Sequence, residues 1–285
     1  MRSRVAYVVL AHKHPRQVAR LVRRLATDRA RFLVHLDRRA GPSVERELRG
    51  ALDGVARVRF LRRRRCYWGG FGMVGATLEA LATLVGGDEP FDHVLLLSGQ
   101  DYPLRPAEEI ERFLGANLER SFMTASPVDE AWPGTGRQRI ERWHLVSPLV
   151  LHVRLPWRRR VPRGLAPWGG GAWICLSRPA AELVHELVRT HRDVLRFFQH
   201  ALHPDELLFQ TIVMNSHLAD TVVRDHLRYI DWSRDPAPAT LGATDLPALL
   251  ASGKLLARKF DVAVDESILD LLDAHSERET VATAG

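Results

Sequence analysis

Short apolar runs alternate with amphipathic stretches through the first half of the chain, and this alternation constrains the fold more than any other feature. Each apolar run has the length of a buried strand, and each stretch that follows repeats its apolar residues at helical spacing. The predicted strands lie at residues 5–11, 31–37, 55–61 and 93–97, and the predicted helices at residues 15–27, 43–52, 72–84 and 107–114. Strands joined by helices indicate right-handed crossovers and a parallel sheet. We therefore predict an α/β fold with a mostly parallel central sheet flanked by helices, and ligands beyond the carboxyl ends of its strands.

The second half is harder to divide into elements. Residues 126–171 are rich in proline, glycine, arginine and tryptophan, and a stretch of this length without clear elements predicts a region that covers a substrate. Strands are predicted at 172–177 and 227–232, and helices at 178–190, 206–215 and 266–274. Since no linker is visible, the prediction is one domain over residues 1–275, followed by a disordered tail at 276–285.

The composition is that of a soluble globular protein, with 46% hydrophobic and 26% charged residues among 285. The first apolar run covers only residues 5–11 and ends in His12 and His14 without a cleavage site, which argues against a signal peptide. Two cysteines, Cys66 and Cys175, are too few for a disulfide framework and fit a reducing compartment. We therefore expect a cytoplasmic protein.

The formal net charge is +7, and much of the excess lies in the arginine-rich runs at residues 62–65 and 157–163. Two interpretations of these runs stay open: a solvated surface, or attraction of an anionic partner. The second includes peripheral contact with the anionic inner face of a membrane. We expect no specific nucleic acid as a partner.

Histidines and a carboxylate mark the ends of the first two predicted strands. His12 and His14 follow the first strand, and His35 and Asp37 end the second. In one interpretation these four residues hold the metal of a metal-dependent hydrolase, which needs at least three convergent ligands. In the other, His12 and Asp37 hydrogen-bond a nucleotide at the edge of the sheet.

The sequence after the fourth predicted strand bears on the choice of cofactor. It reads Ser-Gly-Gln-Asp at residues 98–101 and lacks the acidic pair with which many nucleotide-sugar enzymes hold a divalent ion. The glycine patterns of a dinucleotide site and of a P-loop are also absent. We therefore expect no metal or other cofactor, and neutralisation of any diphosphate by cationic side chains, with Arg258 and Lys259 as candidates.

The octet at residues 203–210, His-Pro-Asp-Glu-Leu-Leu-Phe-Gln, places two carboxylates after a proline. Proline and acidic residues both favour a helix start, because of the fixed proline φ and the positive end of the helix dipole. A more specific interpretation makes Glu206 a general base that faces a substrate hydroxyl. Asp205 would then hydrogen-bond backbone at the helix start.

Eight motifs in consistent order carry a family resemblance that covers nearly the whole chain. They lie at residues 7–14, 35–38, 67–68, 97–104, 141–143, 169–173, 203–206 and 258–261. In these motifs the chain resembles the core-2/I-branching β-1,6-N-acetylglucosaminyltransferases and the related peptide O-xylosyltransferases, in the form of a bacterial-type member. The resemblance implies a GT-A-like nucleotide-sugar-binding fold. It also implies an inverting, metal-independent transfer of N-acetylglucosamine or xylose from a UDP-sugar to a hydroxyl of a glycan, glycolipid or peptide.

The resemblance also implies roles for individual residues on the donor side. Glu206 stands at the position of the catalytic base, Lys259 at that of a lysine on the donor diphosphate, and His12 and Asp37 at uridine-side positions. The branching enzymes have a second diphosphate cation upstream of that lysine, where this chain carries Pro236. Either Arg234 or Arg258 takes over this task, or the donor pocket differs.

On the acceptor side, Arg139, Arg142 and Trp232 stand at positions that contact the acceptor, and Asp101 is added as a further candidate. Two other classes of function remain open on the sequence alone. One is the metal-dependent hydrolase described above, and the other is a non-catalytic binder of anionic polymers through the arginine runs.

Overall fold

The structure is a computed structural model that describes residues 1–146 and 152–284, with side chains described as far as residue 278. Its strands are β1 (Val5–Ala11), β2 (Ala30–Leu36), β3 (Val58–Phe60), β4 (His93–Ser98), β5 (Asp101–Pro103), β6 (Ser121–Phe122), β7 (Ser126–Pro127), β8 (Arg142–Leu145), β9 (Val153–Arg158), β10 (Trp168–Gly169), β11 (Cys175–Ser177), β12 (Val222–Val223), β13 (Arg228–Ile230) and β14 (Leu256–Arg258). Its α-helices are α1 (Pro15–Leu25), α2 (Pro42–Ala51), α3 (Gly72–Val85), α4 (Ala107–Gly115), α5 (Val128–Ala131), α6 (Gly136–Glu141), α7 (Arg178–Thr190), α8 (Arg192–Phe198), α9 (Leu208–Met214), α10 (Leu246–Ala251) and α11 (Ser267–Ala284).

A seven-stranded sheet forms the centre of the molecule, in the order β12-β6-β11-β4-β1-β2-β3. The four ladders β1–β2, β1–β4, β2–β3 and β6–β12 are parallel, whereas β11 runs antiparallel to both β4 and β6. The long connections of the parallel half are helices, as a parallel sheet requires. Helices α1 and α2 each begin with a proline, whose missing N–H costs nothing in the first turn.

The hydrophobic core lies on both faces of this sheet. All seven residues of β1 are buried, and successive side chains enter opposite layers. Val5, Tyr7 and Val9 pack in a cluster with residues of α1 and α11, whereas Ala6 and Val8 pack in a cluster with residues of α3, α7 and α9. Because helices cover both faces, the predicted α/β fold with a mostly parallel central sheet flanked by helices is confirmed.

A smaller sheet lies beside the carboxyl end of β4. It has the order β13-β14-β5, with β14 parallel to β13 and antiparallel to β5, and its register sets Asp101 opposite Arg258. The region at 126–171 forms two further antiparallel ribbons where it is described, β7–β10 and β8–β9. Within the described ranges, no helix combines the length and apolar character needed to cross a bilayer.

The structure departs from the predicted elements mainly in the second half. The helix predicted at 206–215 is wrong at its start: residues Pro204–Glu206 form a 3₁₀ turn, Leu207 has a non-helical φ of −128°, and α9 begins at Leu208. The strand predicted at 172–177 is reduced to β11. The last helix continues beyond residue 274 to Ala284, through most of the segment expected to be a tail.

Candidate active site

A cavity of about 1070 Å³ opens at the carboxyl ends of the parallel strands. His12 directly after β1, Asp37 directly after β2 and Ser98 at the end of β4 all line it. This is the edge at which α/β sheets bind ligands. Part of the opposite wall comes from residues 126–171, the region predicted to cover a substrate.

Glu206 lies in the wall of this cavity with its carboxylate held by a cation. Arg139, on α6, donates from Nη1 to Glu206 Oε2 at 2.9 Å. The backbone holds the turn from both sides, since Gly170 N donates to Glu206 O at 3.0 Å and His203 N donates to Gly69 O at 3.0 Å. The 3₁₀ turn therefore places Glu206 on a fixed backbone, with its side chain turned toward Arg139.

The electrostatics distinguish the two neighbouring carboxyls. Burial raises the pKa of Glu206, and the charge and hydrogen bond of Arg139 oppose this rise. Burial raises the pKa of Asp205 further, to about 7, and repulsion by Glu206 adds to the effect. Asp205 does not cap α9, contrary to the expected backbone hydrogen bond at a helix start. The contact with Arg139 thus favours the charged form of Glu206.

Three glycines at residues 169–171 let the opposite loop pass close to the cavity wall. A Cβ at Gly170 would lie 1.9 Å from the backbone oxygen of Thr124, and one at Gly169 would lie 2.2 Å from Cζ3 of Trp132. Such distances leave no room for any side chain. The glycine run therefore sets the shape of the wall that carries the hydrogen bond to Glu206.

Aromatic side chains form much of the remaining wall. Four of the seven tryptophans line the cavity: Trp68, Trp132, Trp173 and Trp232. Trp132 stacks under the Arg139 guanidinium at 4.1 Å, and Trp68 meets the His203 ring edge-on at 4.2 Å. Trp68 and Trp232 are highly exposed, so their ring faces are available to a ligand.

Arg258 is the predicted donor cation that lines the cavity. Its guanidinium lies over the Trp173 ring at 4.0 Å and 3.7 Å from Asp101 Oδ1, and its buried Nε has no hydrogen-bond partner in the described part of the chain. Asp101 is held in turn by Arg228, whose Nε donates to Oδ1 at 3.2 Å, and both side chains of this pair are fully buried. The buried pair of Asp101 and Arg228 thus helps to hold the Arg258 side chain in place.

Other predicted residues do not line the cavity. Arg234 forms ion pairs with Asp231 at 2.7 Å and with Asp245 at 3.0 Å on the surface. Arg142 donates to the backbone oxygen of Pro156, and Lys259 follows Arg258 but is absent from the cavity wall. Asp101 is inaccessible to an acceptor, as described above. The proposed contacts of these four residues with substrate stay predictions.

The histidine set of the hydrolase interpretation is not brought together. His14 Nε2 lies 2.9 Å from Asp261 and outside the cavity wall, whereas His35 accepts a hydrogen bond from Arg64 N at 2.9 Å. No group of three or more histidine, cysteine, aspartate or glutamate side chains in the described ranges is arranged to hold a metal ion. Burial lowers the pKa of His12 and of His35, which keeps both rings neutral and able to hydrogen-bond a ligand.

Asp37 faces the cavity while its carboxylate is already oriented. Its Oδ1 accepts from the backbone N of Arg39 at 2.8 Å, and its Oδ2 accepts from the Arg39 guanidinium at 3.2 Å. The predicted donor-side pair of His12 and Asp37 is therefore brought together at adjacent strand ends.

Sequence reasoning missed several residues of the site. Trp173 had a signal, since it ends the family motif that contains the glycine run, but Trp132 and Arg39 had none. Arg228 could not be paired with Asp101 from the sequence, because 127 positions separate them and only the fold joins them.

Comparison with known proteins identifies the family. The family model described as core-2/I-branching enzyme matches residues 5–249. Xylosyltransferase oxt of Drosophila pseudoobscura pseudoobscura is 27% identical over 300 residues, which cover 94% of this chain and 33% of that protein. Human xylosyltransferase 2 is 27% identical over 298 residues, which cover 95% of this chain and 33% of that protein. The chain thus spans about a third of the length of these relatives.

Among solved structures, the galactosyltransferase LgtC in complex with donor and acceptor sugar analogues is similar over 90% of this chain and 86% of that one, at 12% identity and a TM-score of 0.40. The family match, which spans most of the chain, favours glycosyl transfer over the hydrolase and polymer-binding alternatives. The predicted resemblance is confirmed. The chain belongs to the core-2/I-branching enzyme family, a family of glycosyltransferases.

Proposed function

We propose that the protein is an inverting, metal-independent glycosyltransferase that moves a sugar from a UDP-sugar donor to an acceptor hydroxyl, with Glu206 as general base. The observation that carries the proposal is the position of Glu206. Its carboxylate lies in the same cavity as the strand ends at His12 and Asp37, and Arg139 holds it at 2.9 Å.

The donor half of the cavity is proposed at the strand ends. His12 and Asp37 present hydrogen-bonding groups suited to the uridine, and Arg258 presents a guanidinium to the diphosphate. Arg258 is buried beside Trp173, so its charge acts in a medium of low dielectric constant, where it stabilises a leaving phosphate more strongly than in water. Lys259 would add a second cation if its side chain turned into the cavity when the donor binds.

The chemical step follows from these positions. The acceptor oxygen attacks the anomeric carbon, Glu206 takes the hydroxyl proton, and the bond to the leaving UDP oxygen breaks with its electrons on the diphosphate. A single displacement of this kind inverts the anomeric configuration. A positioned carboxylate base contributes about 10²–10⁴-fold to such a step. Arg139 favours the charged form of that carboxylate and orients it before the acceptor arrives.

Among donors, UDP-xylose is favoured because the similar curated proteins are named xylosyltransferases, with UDP-N-acetylglucosamine as the second choice. The acceptor side is proposed at Arg139 and the exposed ring of Trp232, which suit a sugar or a short polar chain carrying a hydroxyl. A glycan, a glycolipid and a peptide all meet this description.

A panel of UDP-sugars tests the proposal. We expect one of them to raise the thermal midpoint of the protein, since a ligand that binds the native state stabilises it, and to be hydrolysed slowly by the enzyme in the absence of acceptor. EDTA should leave both effects unchanged. If no UDP-sugar shifts the midpoint or is consumed, the proposed transfer is wrong; a strict requirement for Mn²⁺ would overturn its metal-independent form.

A further inference from the structure

The two arginine-rich runs of the sequence have different surroundings. In the run at 62–65, Arg63 pairs with Glu45, and Arg64 pairs with Glu79 at 2.8 Å. In the run at 157–163, Arg158 and Arg160 are exposed and form no ion pair with any carboxylate in the described part of the chain. The fold therefore neutralises Arg63 and Arg64 of the first run but not Arg158 and Arg160 of the second.

The segment around the second run carries positive charge without acidic residues. Residues 142–163 contain six arginines and no aspartate or glutamate. The carboxylates nearest to it already have partners: Glu141 pairs with Arg137 at 3.1 Å, and Asp193 pairs with Arg163 at 3.1 Å. The ribbon formed by β8 and β9 therefore presents an uncompensated positive field to solvent.

Exposed apolar side chains lie on the same ribbon. Leu145, Val153 and Trp157 are 40%, 36% and 65% exposed. Leu145 lies directly opposite Val153 across the ribbon, and Trp157 lies four positions further along β9, beyond a shift of register between the two strands. We call these three residues together with Arg154, Arg158 and Arg160 the ribbon surface.

The ribbon is fixed to the body of the protein before any partner arrives. His144 N donates to His200 O at 2.9 Å, and a ring nitrogen of His144 lies 2.8 Å from Gln138 O. Arg159 is buried under the ribbon, with its guanidinium 4.0 Å from the Phe197 ring and 5.0 Å from the Trp143 ring. Binding therefore needs little ordering of the two strands, which keeps its entropic cost low.

We propose that the ribbon surface binds the headgroup region of an anionic lipid bilayer. Arginine guanidinium groups pair with lipid phosphates, tryptophan prefers the boundary between headgroups and acyl chains, and aliphatic side chains such as Leu145 and Val153 lie below it. A nucleic acid would use the arginines but leave the apolar side chains without a partner. A second copy of the chain is disfavoured because two uncompensated positive surfaces repel.

The ribbon also adjoins the acceptor side of the cavity. β8 begins at Arg142, directly after α6, and α6 carries the Arg139 that contacts Glu206. A bilayer at the ribbon surface would bring acceptors carried on lipid headgroups to this side of the cavity. Lipid binding itself does not depend on the proposed transfer, and it can be measured with no substrate present.

Co-sedimentation of the full chain with lipid vesicles tests the proposal, with one vesicle of phosphatidylcholine alone and one of equal parts phosphatidylcholine and phosphatidylglycerol. We expect binding to the anionic vesicle alone. Each arginine near such a surface contributes about fivefold to binding, so Arg158→Gln with Arg160→Gln should lower it about 30-fold. The matched control is Arg62→Gln with Arg65→Gln, which removes the same charge from the first run and should leave binding within about twofold.

The apolar part has its own variant. Trp157→Ala should weaken vesicle binding by about tenfold, whereas Trp68→Ala, which removes a more exposed tryptophan at the cavity, should not. All four variants change exposed side chains, and circular dichroism verifies that they fold. Equal losses in the two arginine pairs would show a diffuse charge effect and overturn the proposal. Absence of vesicle binding at physiological salt, or retention of a short RNA or DNA duplex in its place, would also overturn it.

Discussion

Asp101→Asn is expected to be among the most destabilising single substitutions in the chain, although Asp101 does not line the cavity. Asp101 Oδ1 faces two guanidinium groups, Arg228 at 3.2 Å and Arg258 at 3.7 Å, and its Oδ2 accepts from Ser98 N. Asparagine keeps the size of the side chain and removes its charge. Two buried cations would then lack a counter-charge.

The magnitude follows from this burial. Both side chains of the Asp101–Arg228 pair are 0% exposed, so water cannot replace the lost carboxylate. Removing one partner of a buried pair costs about 3–5 kcal/mol, compared with a total stability of about 5–15 kcal/mol for a domain. For a chain of this size the thermal midpoint should fall by about 6–15 °C.

Urea unfolding followed by circular dichroism measures the change in the free energy of unfolding. Glu186→Gln is the control, because it breaks an exposed ion pair with Arg189 and should leave the midpoint unchanged within error. Adding Arg228→Gln to Asp101→Asn should recover part of the loss, since it removes an uncompensated charge. A loss below about 1 kcal/mol for Asp101→Asn alone would refute the buried-network account.

Three further predictions concern the cavity wall. The pKa of Asp205 is raised from 3.8 to about 7. Between these two pH values the carboxyl of Asp205 keeps its proton in the native state and loses it in the unfolded chain. The contribution of Asp205 to the free energy of unfolding therefore falls as pH rises from about 4 to about 7. Asp205→Asn should therefore gain stability relative to the unsubstituted protein over this pH range in urea titrations, and a constant difference would contradict the raised pKa. Gly170→Ala places a Cβ 1.9 Å from Thr124 O and should lower the free energy of unfolding, measured by the same method, by at least about 1–3 kcal/mol. The control Gly50→Ala, whose Cβ would have no atom within 4 Å, should not lower it. Equal effects of the two substitutions would contradict the close approach at Gly170. In steady-state kinetics, Arg258→Gln should raise the KM for the UDP-sugar about tenfold or more, whereas Arg234→Gln, which changes an exposed side chain, should not. A larger rise in KM for Arg234→Gln than for Arg258→Gln would assign the donor cation to Arg234.

The parallel half of the fold could be predicted because its signals are local. The β1 run is entirely apolar because helices cover both faces of the sheet, and its length and the helical spacing after it are visible without any tertiary information. The antiparallel β11 was harder to predict, since a three-residue strand carries no periodicity and its direction is set by pairing with β4. The prediction that a helix begins at Glu206 is wrong for a similar reason, because no local signal marks the break after the 3₁₀ turn. The non-helical Leu207 that separates the 3₁₀ turn from α9 has an ordinary helix-forming side chain.

The candidate site likewise contains residues whose positions could be predicted from the sequence and residues whose positions could not. Residues at strand ends, His12 and Asp37, could be predicted to converge because parallel strands present their carboxyl ends at one edge. Arg234 and Arg258 could not be ranked from the sequence. Their ranking depends on Asp101, which comes from a distant part of the chain and lies beside Arg258, while Asp231 and Asp245 hold Arg234 at the surface.

The role of Glu206 as general base is tested by the Glu206→Gln variant, measured for both transfer and donor binding with the UDP-sugar found in the panel. Glutamine keeps the shape and a hydrogen-bond acceptor toward Arg139 but cannot take the acceptor proton. We expect kcat for transfer to fall by about 10²–10⁴-fold while the Kd for the UDP-sugar changes by less than about threefold. Undiminished transfer by Glu206→Gln would show that Glu206 is not the general base.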